Sequence, residues 1–421
     1  MISVSKLKKK SLFEGDKVIW MILFFLCMIS VIEVYSASSN MSYKSGRYWG
    51  PIVQHASYLL IGVLATLVIH KIHCRYFKLI PVFGIPISVI MLVVALFTDK
   101  VNNASRWLEV GGIGFQPSEI AKGVLVASTA MILASMRDEA GAQRRAFKWI
   151  LGLSVVICGL IVPENFSTAG MVFLVVMVMM FVGGIPWKQY GTLLGIILIS
   201  GACLFSFMRL TPPATLARIG ELPLLHRLPT WADRMRGSGE LPANPEDYDI
   251  TKNPQVAHAT IAIATCNIIG RGPGNSVERD FLPQSFSDFI YAIVIEELGL
   301  AGGIFVMFLY IVLLFRSARI ASRCERNFPA FLVMGLSLML VIQAMVNMAV
   351  AVGVFPVTGQ PLPLVSKGGT STMINCAYIG VILSVSRSAK RKNEADVVEL
   401  PADEVEEPLA ETISDGLTDK E

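Results

Sequence analysis

Apolar residues in this chain are gathered into long unbroken blocks instead of recurring at every second or third position, a pattern that predicts helices surrounded by lipid. The blocks cover residues 18–37, 52–71, 79–98, 118–135, 149–163, 169–186, 190–209, 289–315, 329–353 and 371–387. About ten spans follow, so the expected fold class is an all-α polytopic membrane protein. The fifth block falls short of the ~20 residues a crossing needs. With the sixth, across residues 163–168, it reads either as a tilted pair or as a re-entrant hairpin. Crossing parity is the same either way.

Between the seventh and eighth blocks lies a long polar insert, 210–288. Up to about Thr251 it is rich in Pro and Gly with mixed charge, which predicts irregular loop or short helix. From Gln255 to Ile269 it turns Ala-rich and apolar, and Gly270, Gly272 and Gly274 follow, so a short helix ending in a flexible glycine turn is expected. The chain then divides into a basic N-terminus (1–17), a membrane domain (18–388) and a tail (389–421). The tail carries Glu394, Asp396, Glu399, Asp403, Glu404, Glu406 and Glu407 with few large apolar residues, and is expected to be disordered.

Composition agrees, at 53% hydrophobic and only 16% charged. The net charge of +4 does not point to nucleic acid, because the basic residues sit at the ends of apolar blocks, where they set topology. With the insert left out, Lys and Arg on alternate sides number roughly 21 against 6. The richer side is the cytoplasmic one, which puts both termini inside and the insert, with Asp288, outside. Lys6, Lys8, Lys9 and Lys10 ahead of the first block resemble the start of a signal peptide, but the block is long and others follow, so it is read as a retained helix. The seven cysteines show no CxxC spacing and read as small core residues. The five histidines do not fall at metal-ligand spacing, and Gly270-x-Gly272-x-Gly274 lacks the strand that a dinucleotide motif requires.

Four places carry candidate chemistry. Asp288 ends the insert and precedes an apolar block, where it serves either as an ordinary helix cap or as a base at the membrane surface. Glu296 and Glu297 lie inside that block, where an ionised group costs at least ~2.5 kcal/mol, so each needs a cationic partner or a polar cavity. Arg106 and Trp107 precede Gln116-Pro117-Ser118-Glu119, a helix start that sets Glu119 and Lys122 one turn apart as a buried polar pair. Finally, Ser366-Lys367-Gly368-Gly369 opens the last helix, and its backbone N–H groups and lysine suit either a tight turn or an anion such as a diphosphate.

Taken in order, these segments resemble the SEDS family of bacterial membrane proteins (shape, elongation, division and sporulation), and its division branch more than its elongation branch. The resemblance spans Trp20 to Arg387. It rests on Arg106-Trp107, Gln116 to Glu119 with Lys122, Gln255, Gly270 to Ser276, Leu282-Pro283, Asp288-Phe289-Ile290, Glu296-Glu297-x-Gly299, Asn347, and Pro356 through Pro363 to Ser366-x-Gly368-Gly369. It implies about ten transmembrane helices and polymerisation of lipid II into peptidoglycan glycan strands, with a class B penicillin-binding transpeptidase and other divisome proteins as partners. The family's presumed catalytic aspartate falls on Asp288. The chain departs from the family's usual Leu-Pro-Glu-x-His-Thr-Asp, having Gln284, Phe286 and Ser287 ahead of the aspartate. It also has Asn165 where Asp is common, and Lys367 where elongation members commonly have Tyr.

The expected mechanism has Asp288 take the proton of the GlcNAc 4-hydroxyl of lipid II as that oxygen attacks the MurNAc anomeric carbon of an undecaprenyl-linked glycan. Arg106, Lys122, Arg279 and Lys367, with Lys122 first, are the cations expected to meet the leaving diphosphate. No organic cofactor is expected, while a divalent cation, Mg or Mn, suits the diphosphate. A lipid II flippase, an elongation polymerase and a non-catalytic scaffold are the rival readings. The expected location is the bacterial inner membrane at the division septum.

Overall fold

The computed structural model describes residues 13–45, 50–98, 107–110, 113–138, 141–222, 225, 227–237, 254–282 and 287–398. Its helices are α1 (Lys17–Ser45), α2 (Gly50–Ile69), α3 (Leu79–Leu96), α4 (Pro117–Ser135), α5 (Arg144–Ile161), α6 (Phe166–Val182), α7 (Trp187–Leu210), α8 (Pro213–Ile219), α9 (Leu228–Gly237), α10 (Pro254–Ala264), α11 (Ile290–Ser322), α12 (Asn327–Ala351) and α13 (Thr370–Val398). The long ones, α1–α7 and α11–α13, fall on the ten apolar blocks, and among the described residues seven helices are long and apolar enough to cross a membrane. The chain is a multi-pass membrane protein. Two short antiparallel ribbons pair Leu108–Val110 (β1) with Ile113–Phe115 (β2) and Arg137–Asp138 (β3) with Gly141–Ala142 (β4).

α5 begins at Arg144, ahead of its apolar block, because the basic first turn is helical too. At 18 and 17 residues, α5 and α6 reach ~27 and ~25 Å, close to a bilayer core, and a turn at Val162–Asn165 joins them. The Asn165 side chain caps α6 by accepting the Thr168 N–H at 3.1 Å.

The bundle has a large apolar core with a minority of buried polar side chains, and an apolar outer face. α12 is central, packed on α4, α6, α11 and α13. α4 is buried almost without interruption from Pro117 to Ala130. On the outer face, Val82, Phe83 and Ile90 of α3 and Ile196, Leu198 and Ile199 of α7 are exposed, as lipid contact requires. Inside, Glu33, Lys122, Glu296, Glu297, Gln343 and Asn347 are each no more than 1% exposed, so their polar atoms need partners within the protein.

Of the two readings of the start of the insert, the short helix is the one found, with α8 and α9 folded onto α7 through Met208, Leu216, Leu228 and Ala232, and Trp231 set against Phe166 at 5.2 Å between ring centroids. The segment 238–253 lies outside the described residues. α13 runs on to Val398, past the boundary expected at 388, since Lys390 to Glu394 are good helix formers. The acidic tail from Glu399 onward, like residues 1–12, lies outside the described residues.

The glycine turn departs from expectation. α11 is broken at Gly299, whose φ of 76° and ψ of 179° are not helical, and the chain after α10 fills the break. Leu300 N–H donates to the Asn267 carbonyl at 3.1 Å and Ala301 N–H to Ile268 at 3.2 Å, while Arg271 and Gly272 N–H groups reach the carbonyls of Glu296 and Glu297 at 3.0 and 2.8 Å. The turn is therefore pinned to α11, not flexible. Gly270 and Gly299 approach so closely that a Cβ on either would collide with backbone, and both have positive φ. Gly299→Ala is expected to lower stability by at least ~1 kcal/mol. Thermal unfolding in detergent and faster proteolysis within 265–287 measure this.

Candidate active site

The segment before α11 is held from two sides. Ser366 Oγ donates to the Ser287 carbonyl at 2.6 Å and accepts the Leu362 N–H at 2.8 Å, so one hydroxyl ties the last outer loop to the Asp288 loop. Asn347 Nδ2, on α12, donates to the carbonyls of Asp288 and Gln360, each at 2.8 Å. Gln360 Nε2 in turn reaches Thr168 Oγ1 at 2.7 Å, which draws in the start of α6. Residues distant in sequence thus fix the backbone of Asp288.

The Asp288 side chain is partly buried, with Oδ1 accepting Ser287 Oγ–H at 2.9 Å. The cap position of α11 falls to Phe289, whose side chain caps nothing, so Asp288 stands one residue ahead of the cap. Oδ2 faces Gly359, where an added Cβ would still lie 3.6 Å away. That absent side chain leaves room above the carboxylate. Around it, Asn347 Oδ1, Thr358 Oγ1 and Gln360 Oε1 are buried acceptors with no hydrogen-bond partner among the described residues.

Glu119 and Lys122 form the expected pair at 2.7 Å, and Lys122 Nζ also donates to Gln343 Oε1 at 2.9 Å. Ser371 Oγ donates to Glu119 Oε2 at 3.0 Å, and Tyr378 Oη to the Glu119 carbonyl at 2.6 Å. Lys122 is 0% exposed, which corrects its place as the first cation to meet a diphosphate. Its charge is spent on Glu119, and its effect passes through Gln343, whose Nε2 holds the Pro361 carbonyl at 3.0 Å. Gln343 and Asn347 lie one turn apart on α12, so one helix face serves both the lysine and the Asp288 loop.

Glu296 and Glu297 form a separate cluster. Glu296 Oε1 accepts the Val277 N–H at 2.9 Å and pairs with Arg271 at 3.2 Å, and Oε2 accepts Ser276 Oγ–H at 2.5 Å. Glu297 Oε1 accepts Ser36 Oγ–H and the Ser276 N–H, the latter at 3.3 Å, and Oε2 accepts the Gly274 N–H at 3.0 Å. Arg279 Nη1 donates to Ser36 Oγ at 2.8 Å and lies 3.9 Å from Glu297. The protein's own groups fill both carboxylates, so these residues and Arg279 fasten the insert to α1 and α11. Both glutamate side chains are fully buried, while that of Arg279 keeps partial exposure.

The remaining expected residues spread around this end of the bundle. Trp107 is partly buried beside Gly114 of the β1–β2 ribbon, and Thr370 Oγ1 reaches the Gly114 carbonyl at 3.4 Å. Gln116 takes the cap position of α4 without a side-chain bond. Gln255 is partly buried at the start of α10, next to Val256, which packs with Phe289. Arg106 lies outside the described residues. Lys367 follows Ser366 and is partly buried, and that burial holds its ammonium below the usual lysine range. Since Ser366 and Ser287 are bonded, Lys367 and Asp288 are each one residue beyond a direct contact. Gln343 escaped the sequence reading, and Thr358 and Gln360 entered it only as part of the loop Pro356 to Pro363, with no role of their own. Gln343 and Asn347 spaced four apart within the apolar run 338–351 were the available signal.

Comparison with known proteins fits this arrangement. A family model described as cell cycle protein, covering FtsW, RodA and SpoVE, matches residues 16–391. The probable peptidoglycan glycosyltransferase FtsW of Coxiella burnetii is 28% identical over 90% of this chain and 99% of its own. That of Halomonas elongata is 30% identical over 88% of this chain and 90% of its own. A solved chain described under structural coordination of polymerization and crosslinking by a peptidoglycan synthase complex superposes with a TM-score of 0.67 at 24% identity, covering 89% of this chain and 98% of that one. Thermus thermophilus rod shape determining protein RodA superposes at 0.60 and 22% identity, covering 89% of this chain and 97% of that one. The structural likenesses establish the fold.

Proposed function

The chain belongs to the FtsW, RodA and SpoVE family of cell cycle proteins, and we propose that it is a peptidoglycan glycosyltransferase that polymerises lipid II, with Asp288 as general base. The observation that carries this is the strapped Asp288 loop: its backbone is held by Asn347 and Ser366, and its carboxylate accepts from Ser287 Oγ and faces Gly359, one residue along from the Ser366–Ser287 contact that Lys367 follows. The 4-hydroxyl of the lipid II GlcNAc gives its proton to Asp288 while its oxygen bonds to the MurNAc anomeric carbon of the growing strand. The bond from that carbon to undecaprenyl diphosphate breaks, and the diphosphate leaves with the electron pair. Asn347 Oδ1, Thr358 Oγ1 and Gln360 Oε1 supply acceptors for sugar hydroxyl or amide groups.

Lys367 replaces Lys122 as the first cation for the leaving diphosphate, helped by the backbone N–H groups of Gly368 and Gly369 at the start of α13. Among the described residues no three His, Cys, Asp or Glu side chains converge to hold a metal. A Mg or Mn ion would arrive on the substrate's diphosphate oxygens, and no step is assigned to it. In this reading the Asp288 end faces outside, both termini lie in the cytoplasm, and the enzyme works in the inner membrane at the division septum. It works beside a class B penicillin-binding transpeptidase and other divisome proteins, with α8 and α9 of the insert offering a contact surface.

Purified chain and transpeptidase partner given lipid II in detergent, where flipping is impossible, test the proposal. Glycan strands on a gel support it, and no strands with a demonstrably active partner refute it. A further consequence concerns pH. Because burial lowers the Lys367 pKa, its charge and the diphosphate hold it provides are present below that lowered value and lost as pH rises through it. Lys367→Arg, which stays charged, should move the alkaline limb of the polymerisation rate to higher pH. An unchanged limb would remove Lys367 from the site.

A further inference from the structure

The opposite end of the bundle carries a second concave site that the polymerisation chemistry does not use. Two adjoining cavities of about 500 and 390 Å³ lie between the α2–α3 turn and the α11–α12 turn, the larger against α13 and the smaller against the end of α4, and they share Arg75 and Arg326. Arg323 and His73 line the larger one and Lys78 the smaller. Glu325 is the single carboxylate in either lining. Among the described residues at this end, Asp16 pairs with Arg316 and Glu14 with Arg387 at 3.4 Å. The lining is therefore strongly positive. Pro329 and Val385 add an apolar wall, and the Arg75 turn leads directly into α3, whose exposed Leu79, Val82 and Phe83 meet lipid.

A concave group of arginines between transmembrane helices, at the depth of the membrane surface and beside an apolar face, matches the chemistry of a phosphodiester carried on acyl chains. We propose that this cavity binds the phosphate headgroup of an anionic phospholipid. The arginines take the phosphate oxygens in forked hydrogen bonds, and the acyl chains run along α3. A soluble phosphate would gain only the first of these contacts.

Native mass spectrometry of the full chain in detergent, titrated with phosphatidylglycerol or phosphatidylcholine, tests this. The triple variant Arg75→Gln, Arg323→Gln, Arg326→Gln should retain phosphatidylglycerol at least about tenfold less than the parent, with phosphatidylcholine adducts unchanged. Arg144→Gln with Arg145→Gln, at the same end on α5 but outside the cavities, should bind phosphatidylglycerol like the parent. Phosphatidylglycerol should also raise the melting temperature of the parent and of the α5 variant but not of the triple variant, whose own melting curve reports its fold. Equal retention by the triple variant, an equal loss in the α5 variant, or displacement of the lipid by an equal concentration of inorganic phosphate would each overturn the proposal.

Discussion

Asp288→Asn is expected to cut glycan polymerisation by about 10²- to 10⁴-fold while leaving the fold intact, the range that a positioned general base contributes. In barrier terms this is ~3–5 kcal/mol. Folding should survive because the Asp288 loop is held by its backbone: Asn347 grips the Asp288 carbonyl and Ser366 the Ser287 carbonyl, and neither bond involves the carboxylate. Asn keeps the shape and still accepts from Ser287 Oγ, so only the capacity to take a proton is removed. Initial rates of strand formation, read beside melting curves, separate the two effects. A variant that polymerises within threefold of the parent would move the base elsewhere. One that fails to melt cooperatively would make Asp288 a structural residue.

The Glu119–Lys122 pair gives the second large effect, on stability. Lys122→Met strands a buried Glu119 carboxylate that only Ser371 then serves, and loss of one partner from such a pair costs ~3–5 kcal/mol. Adding Glu119→Gln removes the stranded charge, so the double variant should recover to within ~1 kcal/mol of the parent. Its polymerisation rate should fall by less than ~tenfold, through kcat and not the KM for lipid II, because Lys122 acts on the site only by steadying Gln343 and the Pro361 carbonyl. A folded double variant slower by a hundredfold or more, in kcat/KM with a raised KM, would put Lys122 on the diphosphate after all.

These two pairs show what could be read along the chain. Glu119 and Lys122 stand three apart on one helix, and helical spacing alone brings them together. Asp288 stood out as an acid at the edge of an apolar block, and the resemblance singled out the same position. Glu296 and Glu297 were recognised as needing partners, but those partners come from Ser36, Arg271, Ser276 and Arg279 on other elements, and no local spacing encodes such pairings. Gln360 is similar: it matters because the last outer loop folds back over Asn347 and Thr168.

From the sequence alone came the number and order of the apolar helices, the polar insert and the acid at its end, because lipid demands long apolar runs whose cost of interruption is local. Tertiary structure decided the surroundings of the two lysines. Burial spends the charge of Lys122 inside the bundle, whereas the bond between Ser366 and Ser287 ties the loop that carries Lys367 to the loop that carries Asp288. It also decided that α11 breaks at Gly299, since only the returning chain after α10 supplies the donors and acceptors that an interrupted helix leaves without partners.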